Sequence, residues 1–438
     1  MKEEEILYGK PSIRFYTLGC KLNFTETSSL RRELLQNHFQ EAREGEKEQI
    51  SIINTCSVTD VADKKANQLI RRISRENGES IIVVTGCYAQ LKPEAIEKFP
   101  NVHLIIGNGK KQEIPSLVEK IVQLSNAERV QVGKREEMND FMPSSSSDDR
   151  TRYFLKIQDG CDYFCTYCTI PFARGKSRNH DIQSTCEEAL KVKDKGAKEI
   201  ILTGVNIGDF GASTGETFFE LIKALEHTLQ DVRIRISSIE PNLLTDEIID
   251  FVASSKCFMP HFHIPLQCGN DEVLRLMHRR YDTSLFSSRI ERIKTLLPNA
   301  FIGVDVIVGM RGEKEEYFEN SKHFLENLPI SQLHVFPYSE RPHTQALKIF
   351  PIVPEEEKHK RCTKLIHLSK EKLKQFYLSQ KGTEQEVLFE QPKNEGKMQG
   401  FTPNYLHVEI HYREEWVNRV VKIHLTDFDE ERMMYLSK

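Results

Sequence analysis

The sequence predicts an α/β protein with three parts: an N-terminal parallel α/β sheet domain, a central partial (β/α)6 barrel, and a small antiparallel β-barrel at the C-terminus. Two of these parts follow from short apolar runs, rich in β-branched residues, that alternate with helical patterns twice along the chain. The third follows from a change of apolar period to two residues after Gly382.

The N-terminal domain is predicted over residues 11–125. Its strand candidates are IRFYTL, ISIINT, SIIVVT and VHLII, and they alternate with helical segments such as DKKANQLIRRISREN and IPSLVEKIVQL. Alternation of this kind is typical of a parallel sheet covered by helices. The stretch MNDFMPSSSSDDR has no periodicity, so residues 126–150 are predicted to be a linker.

The central domain is predicted over residues 151–380. Its strand candidates are YFLKI, EIILTG, RIRISS, HFHIPLQ, FIGVDVIVG and LHVFPYS, with helical patterns between them. A barrel built this way carries its chemistry at the carboxyl ends of the strands. After a long helix, residues 383–438 contain EQEVLFEQ, YLHVEIHY and NRVVKIHLT, which predict the small antiparallel barrel.

Composition narrows the functional class. The 438 residues include ten cysteines, carry a net charge of −4, and contain no apolar run long enough for a membrane helix. The start, MKEEEILYGK, does not resemble a secretory signal. We therefore expect no membrane partner and a cytoplasmic location, where thiols bind metals or catalyse. Nucleic-acid binding would need a local basic patch, because the whole chain is slightly acidic.

Three cysteines lie within eight residues at the end of the first barrel strand. Cys161, Cys165 and Cys168 have the spacing Cys-x₃-Cys-x₂-Cys, and no fourth cysteine follows at ligand spacing. Three thiolates on a [4Fe–4S] cluster leave one iron open to bind a further ligand. A structural zinc site, or thiols that are simply buried, is the alternative interpretation.

A second set of three cysteines follows the first three strands of the N-terminal domain. Cys20, Cys56 and Cys87 should converge at one edge of a parallel sheet. They therefore predict a second cluster with an open iron, and the alternative is three unrelated buried thiols. Cys186, Cys257, Cys268 and Cys362 lack partners at useful spacing and are expected to be packing residues.

With these motifs, the chain resembles the radical S-adenosylmethionine (SAM) methylthiotransferases over nearly its whole length. The segments ILTGVNIGDFG, RISSIEP, HIPLQCGNDEVLRLMHRRY, GVDVIVGMRGE and LHVFPYSERP carry the resemblance beyond the cysteines. The C-terminal barrel resembles the family's TRAM domain, an RNA-binding module. Within the family, the closest resemblance is to the branch that modifies N6-threonylcarbamoyladenosine in tRNA. The segments that carry it are CTYCTIPFARGKSRN and HVFPYSERPHTQA.

The resemblance implies the activity and the cofactors. The cofactors are two [4Fe–4S] clusters and SAM, and the reaction is methylthiolation of carbon 2 of N6-threonylcarbamoyladenosine at tRNA position 37. An electron donor of the flavodoxin or ferredoxin type is implied as a partner, and we expect a monomer. The alternatives are the same chemistry on isopentenyladenosine or on a ribosomal protein, or a non-catalytic iron–sulfur protein that binds RNA.

The resemblance also implies SAM contacts at the strand ends, each with a structural alternative such as a tight turn or a helix cap. No catalytic residue beyond the cluster ligands is predicted. His263 is expected to face the site and His261 to be structural. The expected cofactor-binding residues are Tyr167, Gly204, Asn206, Ser238, Glu240, Gln267 and Gly309.

Six basic residues are candidates for RNA contact, in the loop beside the barrel cysteines and in the C-terminal barrel. For the three residues in the loop beside the barrel cysteines, a solvated basic loop is the alternative interpretation. The six candidates are Arg174, Lys176 and Arg178 in that loop, and Lys397, Arg419 and Lys422 in the C-terminal barrel. Four positions depart from the family pattern: Met310 and Arg311, where Phe-Pro is usual, Cys268, where serine is common, and His343, where glycine is common.

Overall fold

The computed structural model describes residues 10–36, 38–124, 128–146, 151–392 and 396–437. These residues form two compact units. The first contains the residues up to Ser146 together with Asp159–Tyr163 and Thr169–Lys176, and the second contains the rest of the chain. Of the predicted linker, residues 126, 127 and 147–150 lie outside the described residues, and residues 128–146 belong to the first unit.

The first unit is built on a six-stranded sheet in the order β2-β1-β3-β4-β5-β6, and every pair in it is parallel. Its strands are β1 Ser12–Thr17, β2 Gln40–Glu41, β3 Ile50–Thr55, β4 Ile81–Gly86, β5 Val102–Ile106 and β6 Val130–Gln131; a further short strand, β7, is Ser144–Ser145. Its helices are α1 Lys21–Gln36, α2 Asp60–Glu76, α3 Cys87–Leu91, α4 Pro93–Glu97, α5 Ile114–Leu124 and α6 Ile170–Arg174.

The central strands of this sheet are buried on both faces. All six residues of β3 are buried, and Ile52 and Ile53 contribute to different hydrophobic clusters. Burial on both faces explains why the strands read as continuous apolar runs in the sequence. Helix α2 begins after Thr59, whose hydroxyl accepts a hydrogen bond from the Ala62 N–H.

The second unit contains the six strands of the predicted partial barrel. Strands β8, β9 and β10 pair in parallel, as do β11, β12 and β13, and bridges at Ile234–Phe258 and Ser238–His263 connect the two sets. The strands are β8 Arg152–Lys156, β9 Glu199–Thr203, β10 Arg233–Ile236, β11 His261–Gln267, β12 Phe301–Val308 and β13 Gln332–Pro337. The helices are α7 Ile182–Asp194, α8 Phe218–Thr228, α9 Asp246–Ser254, α10 Asp271–Leu276, α11 Thr283–Leu296, α12 Glu315–Asn327 and α13 Glu355–Ser379.

The C-terminal residues form a six-stranded sheet in the order β17-β14-β15-β16-β19-β18. All pairs are antiparallel except β16 with β19. The strands are β14 Glu384–Phe389, β15 Lys397–Phe401, β16 His407–His411, β17 Val420–His424, β18 Asp427–Asp429 and β19 Met434–Leu436. This sheet shares one hydrophobic cluster with Phe301 of β12 and with Phe376 and Tyr377 of α13. The C-terminal sheet therefore packs directly against the barrel through a shared hydrophobic cluster.

Among the described residues, no helix is both long enough and apolar enough to cross a lipid bilayer.

Candidate active site

Cys20, Cys56 and Cys87 lie at the carboxyl edge of the first unit's sheet. They follow β1, β3 and β4, which are neighbouring parallel strands, so the three loops emerge side by side. Cys56 and Cys87 are buried, whereas Cys20 is exposed. Gly19 has a φ of +108°, and a Cβ there would lie 2.6 Å from the Cβ of Cys56. Only glycine lets these two loops approach so closely.

Burial and the neighbouring thiols both disfavour ionisation of Cys56. The pKa of Cys56 is raised to about 11, mainly by burial, and the charges of Cys87 and Cys20 add to the increase. A metal centre that binds the three sulfurs would stabilise Cys56 as the thiolate. The donor set, three sulfurs without a fourth, fits a [4Fe–4S] cluster with one open iron.

A buried ion-pair network lies in the same unit as this triad. Arg174 Nη1 is 2.9 Å from Glu26 Oε1 and 3.0 Å from Asp159 Oδ1, and Lys111 Nζ is 2.6 Å from Glu26 Oε2. Arg174 also donates to Asn23 Oδ1 at 2.7 Å. All of these side chains are buried.

The expectation that Arg174 contacts RNA is therefore corrected. A guanidinium that is fully buried and satisfied by carboxylates has no surface to offer a phosphate. Sequence reasoning missed Glu26 and Lys111 because their partners are distant in the chain. The only signal was a carboxylate at Glu26 on the same helical face as Leu22 and Leu30, both buried.

In the second unit, Cys165 is positioned by Arg279. Arg279 Nη1 donates to Cys165 Sγ at 3.0 Å, and the same guanidinium forms an ion pair with Glu240. Burial raises the pKa of Cys165, and the charge of Arg279 opposes that increase. Arg279 thereby favours the thiolate that a metal needs. Sequence reasoning missed Arg279, which follows α10 and whose only visible signal was the basic pair HRRY.

The backbone of the cysteine stretch is held in a defined conformation. Cys168 N–H donates to the Cys165 carbonyl at 3.0 Å, and Thr166 N–H donates to the Met277 carbonyl at 3.1 Å. Phe164 adopts a φ of +51°, which is unusual for a bulky residue. Tyr167 is half-buried, and its hydroxyl accepts from Arg279 at 3.5 Å. Cys161 N–H, in the first unit, donates to the Gly175 carbonyl at 3.1 Å.

Asn206, after β9, has the clearest ligand signal among the expected cofactor-binding residues. Gln158 Oε1 accepts from the backbone N–H groups of Val205 at 3.0 Å and Asn206 at 2.8 Å, which fixes the turn. The buried side-chain amide of Asn206 has no hydrogen-bond partner for either atom among the described residues. Buried polar groups are normally satisfied, so this amide fits a ligand with donors and acceptors of its own, such as the methionyl end of SAM.

Local packing and backbone conformation explain why glycine occupies positions 204 and 309, two of the expected cofactor-binding positions. A Cβ at Gly204 would lie 2.9 Å from the Gln158 carbonyl oxygen, and one at Gly309 would lie 2.2 Å from Lys358 Cγ. Gly309 also has a φ of +75°, and its N–H donates to Glu313 Oε2 at 2.7 Å. Gly204 is required by the close Gln158 carbonyl and Gly309 by its positive φ, whether or not a cofactor is bound.

The other predicted strand-end residues lie around the same barrel end. Ser238 bridges to His263, and Glu240, two residues later, pairs with Arg279. Gln267 adopts a φ of +67° at an irregularity in the β11–β12 pairing. A non-glycine residue in that region is uncommon and is concentrated at functional sites.

The structure explains one departure from the family pattern, Arg311. Arg311 Nε lies 2.7 Å from Glu340 Oε1, and its Nη1 donates to the Leu347 carbonyl at 2.7 Å, so it ties together the loops after β12 and β13. His343 adopts a φ of +64°, the left-handed conformation that favours glycine.

The remaining basic candidates differ in their availability to a polyanion. Lys176 and Arg419 are exposed, whereas Arg178 is buried. In the C-terminal sheet, Lys397 Nζ lies 2.8 Å from Glu409 Oε1, and Lys422 Nζ lies 3.5 Å from Glu384 Oε1. These ion pairs reduce the positive field that the sequence alone suggests.

Comparison with known families matches two parts of the chain. Residues 12–107 match the uncharacterized protein family UPF0004, and residues 155–325 match the radical SAM superfamily. The chain is also similar to a solved structure, the radical SAM methyltransferase TsrM from Kitasatospora setae, with a TM-score of 0.57 and 12% identity. The match covers 77% of each chain. At that identity, it shows the fold only.

Two curated relatives cover most of this chain. Threonylcarbamoyladenosine tRNA methylthiotransferase MtaB from Bacillus subtilis is 36% identical over 94% of this chain and 93% of its own length. The tRNA-2-methylthio-N(6)-dimethylallyladenosine synthase from Dictyoglomus thermophilum is 30% identical over 95% of this chain and 96% of its own length. Both names describe enzymes, contrary to the non-catalytic alternative. The chain belongs to the radical SAM methylthiotransferases, an enzyme family that uses [4Fe–4S] clusters and SAM.

Proposed function

We propose that this enzyme methylthiolates carbon 2 of N6-threonylcarbamoyladenosine, at the adenosine 3′ of the anticodon in tRNA. The observation that carries the choice of substrate is the higher identity to the threonylcarbamoyladenosine relative, 36%, than to the dimethylallyladenosine relative, 30%. The resemblance of CTYCTIPFARGKSRN and HVFPYSERPHTQA to the same branch supports it.

The chemistry requires the cofactors that the two cysteine sets would hold. An aromatic C–H bond is too unreactive for general acid–base catalysis, and the bound clusters and SAM supply radical and sulfur-transfer chemistry. In this proposal, Cys161, Cys165 and Cys168 hold the cluster that binds SAM, and Cys20, Cys56 and Cys87 hold the cluster that delivers sulfur.

This chain's other residues orient those groups. Arg279 holds Cys165 through its 3.0 Å hydrogen bond. The buried Asn206 amide, which has no hydrogen-bond partner in the described part of the chain, contacts the methionyl end of SAM in this proposal. Gln158 holds the turn before Asn206 by accepting two backbone hydrogen bonds. Each of these contacts fixes geometry before the substrate arrives.

Nucleoside mass spectrometry tests the substrate assignment. In tRNA from a strain that lacks the gene, we expect 2-methylthio-N6-threonylcarbamoyladenosine to be absent and its precursor to accumulate, and the gene to restore the product. Loss of a methylthio-isopentenyladenosine instead would overturn the assignment.

Cysteine variants test the division of labour. Replacing Cys20, Cys56 and Cys87 with Ala should abolish methylthiolation while dithionite-reduced protein still releases 5′-deoxyadenosine from SAM. Replacing Cys161, Cys165 and Cys168 should abolish both reactions. If the first variant still forms the methylthio product, sulfur is not delivered from the N-terminal cluster.

The expected cytoplasmic location follows from a tRNA substrate and remains part of the proposal. A flavodoxin- or ferredoxin-type electron donor and a monomeric state also remain predictions.

A further inference from the structure

Three hydrogen-bonding side chains meet inside the barrel on neighbouring parallel strands. His263 of β11, Asp305 of β12 and His334 of β13 are all half-buried, and their nearest polar atoms lie within 4.8 Å of one another. His263 Nε2 lies 2.7 Å from Asp305 Oδ1, and the rings of His263 and His334 have centroids 5.1 Å apart. The sequence indicated His263 alone.

The strand register creates this cluster, which we call the barrel triad. Asp305 pairs with His334 across β12 and β13, and His263 pairs with Gly303 across β11 and β12. Gly303 carries no side chain, and a Cβ there would lie 3.4 Å from His334 Nε2. A larger residue would therefore crowd the space in which the two imidazoles approach each other.

The barrel triad faces the same interior as the cofactor-binding residues. Ile264, Val304 and Leu333, which alternate with the triad along the same strands, belong to the buried hydrophobic core. The triad therefore projects from the opposite face of these strands. His263 bridges to Ser238, and the charge of Asp305 contributes to the raised pKa of Glu240, whose main cause is burial. Glu240 in turn pairs with Arg279, the residue that contacts Cys165.

The names of the curated relatives refer to two modified adenosines, threonylcarbamoyladenosine and dimethylallyladenosine. These nucleosides differ only in the substituent on N6. A threonylcarbamoyl group carries N–H and O–H donors, a carbonyl and a carboxylate, whereas a dimethylallyl group carries only C–H bonds. Covering the triad with the apolar group would desolvate its polar atoms and give them no hydrogen bonds from the substrate in return. Sites that hydrogen-bond a substrate reject analogues lacking the partner groups strongly.

We propose that His263, Asp305 and His334 recognise the polar N6 substituent and thereby select against dimethylallyl-bearing tRNA. The inference rests on the proposed function, which names the threonylcarbamoyl substrate. Asp305 accepts from His263 and, through its second oxygen, from an N–H or O–H of the substituent. His334 donates a ring N–H to the substituent's carbonyl or carboxylate.

The test compares two substrates on reconstituted, dithionite-reduced full-length protein. Anticodon stem-loop RNAs carry either N6-threonylcarbamoyladenosine or N6-dimethylallyladenosine, and single-turnover formation of the methylthio product is measured for each. The variants are His334→Phe, which removes the polar ring, and Asp305→Asn, which preserves the shape. His323→Phe, on the exposed face of α12 with 79% of its side chain exposed, is the matched control.

For both triad variants, we expect at least a tenfold loss with the threonylcarbamoyl RNA and no comparable loss with the dimethylallyl RNA. Iron content and substrate-free release of 5′-deoxyadenosine should match those of the wild type and the control. This pattern separates lost recognition from lost folding or lost SAM binding.

Other outcomes overturn the inference in identifiable ways. If wild-type protein methylthiolates the threonylcarbamoyl RNA and the variants keep the same preference, the proposed function stands and the triad assignment falls. If wild-type protein prefers the dimethylallyl RNA, the proposed function itself falls. If elemental analysis finds one divalent metal beyond iron that both triad variants lose, the triad is a metal site instead.

Discussion

Arg174 Nη1 and Glu26 Oε1 lie 2.9 Å apart, and both side chains are only 2% exposed. The pair joins Arg174, at the end of helix α6, to Glu26 on helix α1, 148 positions earlier in the chain. Glu26 also contacts Lys111, and Asp159 contacts Arg174, so two carboxylates balance two buried cations. The network is thus a structural element of the first unit, which also contains Cys20, Cys56 and Cys87.

Breaking this network should destabilise the protein. Arg174→Met removes the guanidinium that pairs with Glu26 and Asp159, and losing one partner of a buried ion pair costs about 3–5 kcal/mol. We expect the reconstituted Arg174→Met protein to unfold at a lower urea concentration than the wild type under anaerobic conditions. Lys176→Met, two residues away and exposed, is the control and should leave the midpoint unchanged. Equal midpoints for the two variants would contradict a structural role for Arg174.

The two cysteine sets should each hold four irons. Anaerobically reconstituted wild-type protein should contain about eight irons, and replacing either set with Ala should leave about half. Cys268→Ala removes a buried thiol that no cluster uses and should not change the iron content. A wild-type content near four irons, unchanged when Cys20, Cys56 and Cys87 are replaced, would show that the N-terminal set binds no cluster.

Asn206 should contribute to SAM affinity. Because its buried amide lacks a protein partner, Asn206→Ala removes ligand contacts without breaking any hydrogen bond of that side chain within the described residues. We expect SAM binding to weaken about tenfold, corresponding to about 1.4 kcal/mol. Equilibrium dialysis on reconstituted protein measures it, with Asn320→Ala, exposed on α12, as the control. Unchanged affinity would mean that SAM does not reach this amide.

RNA binding by the C-terminal sheet is better tested by point variants than by deletion. Removing residues 383–438 would expose Phe376 and Tyr377, which share that sheet's hydrophobic cluster. Arg419 is exposed, so Arg419→Ala should weaken tRNA binding and reduce the salt slope by about 0.7–0.9 for one lost phosphate contact. Filter binding at several salt concentrations measures both, with Lys193→Ala on α7 as the control. An unchanged slope would remove Arg419 from the interface.

The C-terminal sheet should have an acid-sensitive contribution to its stability. Hydrogen bonds from Arg432, and then from Lys397 and Gln399, lower the pKa of Glu409 well below its ordinary value of 4.5. A carboxylate with a depressed folded-state pKa stabilises the folded state above its unfolded-state pKa, and this contribution is lost as pH falls below it. Glu409→Gln should therefore lower the melting temperature more at pH 7 than at pH 3.5. Equal shifts at both values would contradict this coupling.

Much of the architecture was predictable because it depends on local pattern. The apolar runs of β3 and β4 predict buried parallel strands, and the position of Cys56 and Cys87 directly after them follows from the sequence. The partial barrel was predicted in the same way, and the structure confirms its six strands in sequential order.

The charged partners were not predictable, because ion pairs across long sequence separations leave no periodic signal. Arg174 looked like a solvated or RNA-binding residue in a basic loop, and its burial against Glu26 depends on how α6 packs in the first unit. Arg279 likewise meets Cys165 across 114 positions of chain. The sequence by itself determined the alternation of strands and helices, the cluster-type cysteine spacing and the family. Only the tertiary structure decided which charges are buried and paired, and that His263, Asp305 and His334 meet, because register and burial set contacts between residues far apart in the chain.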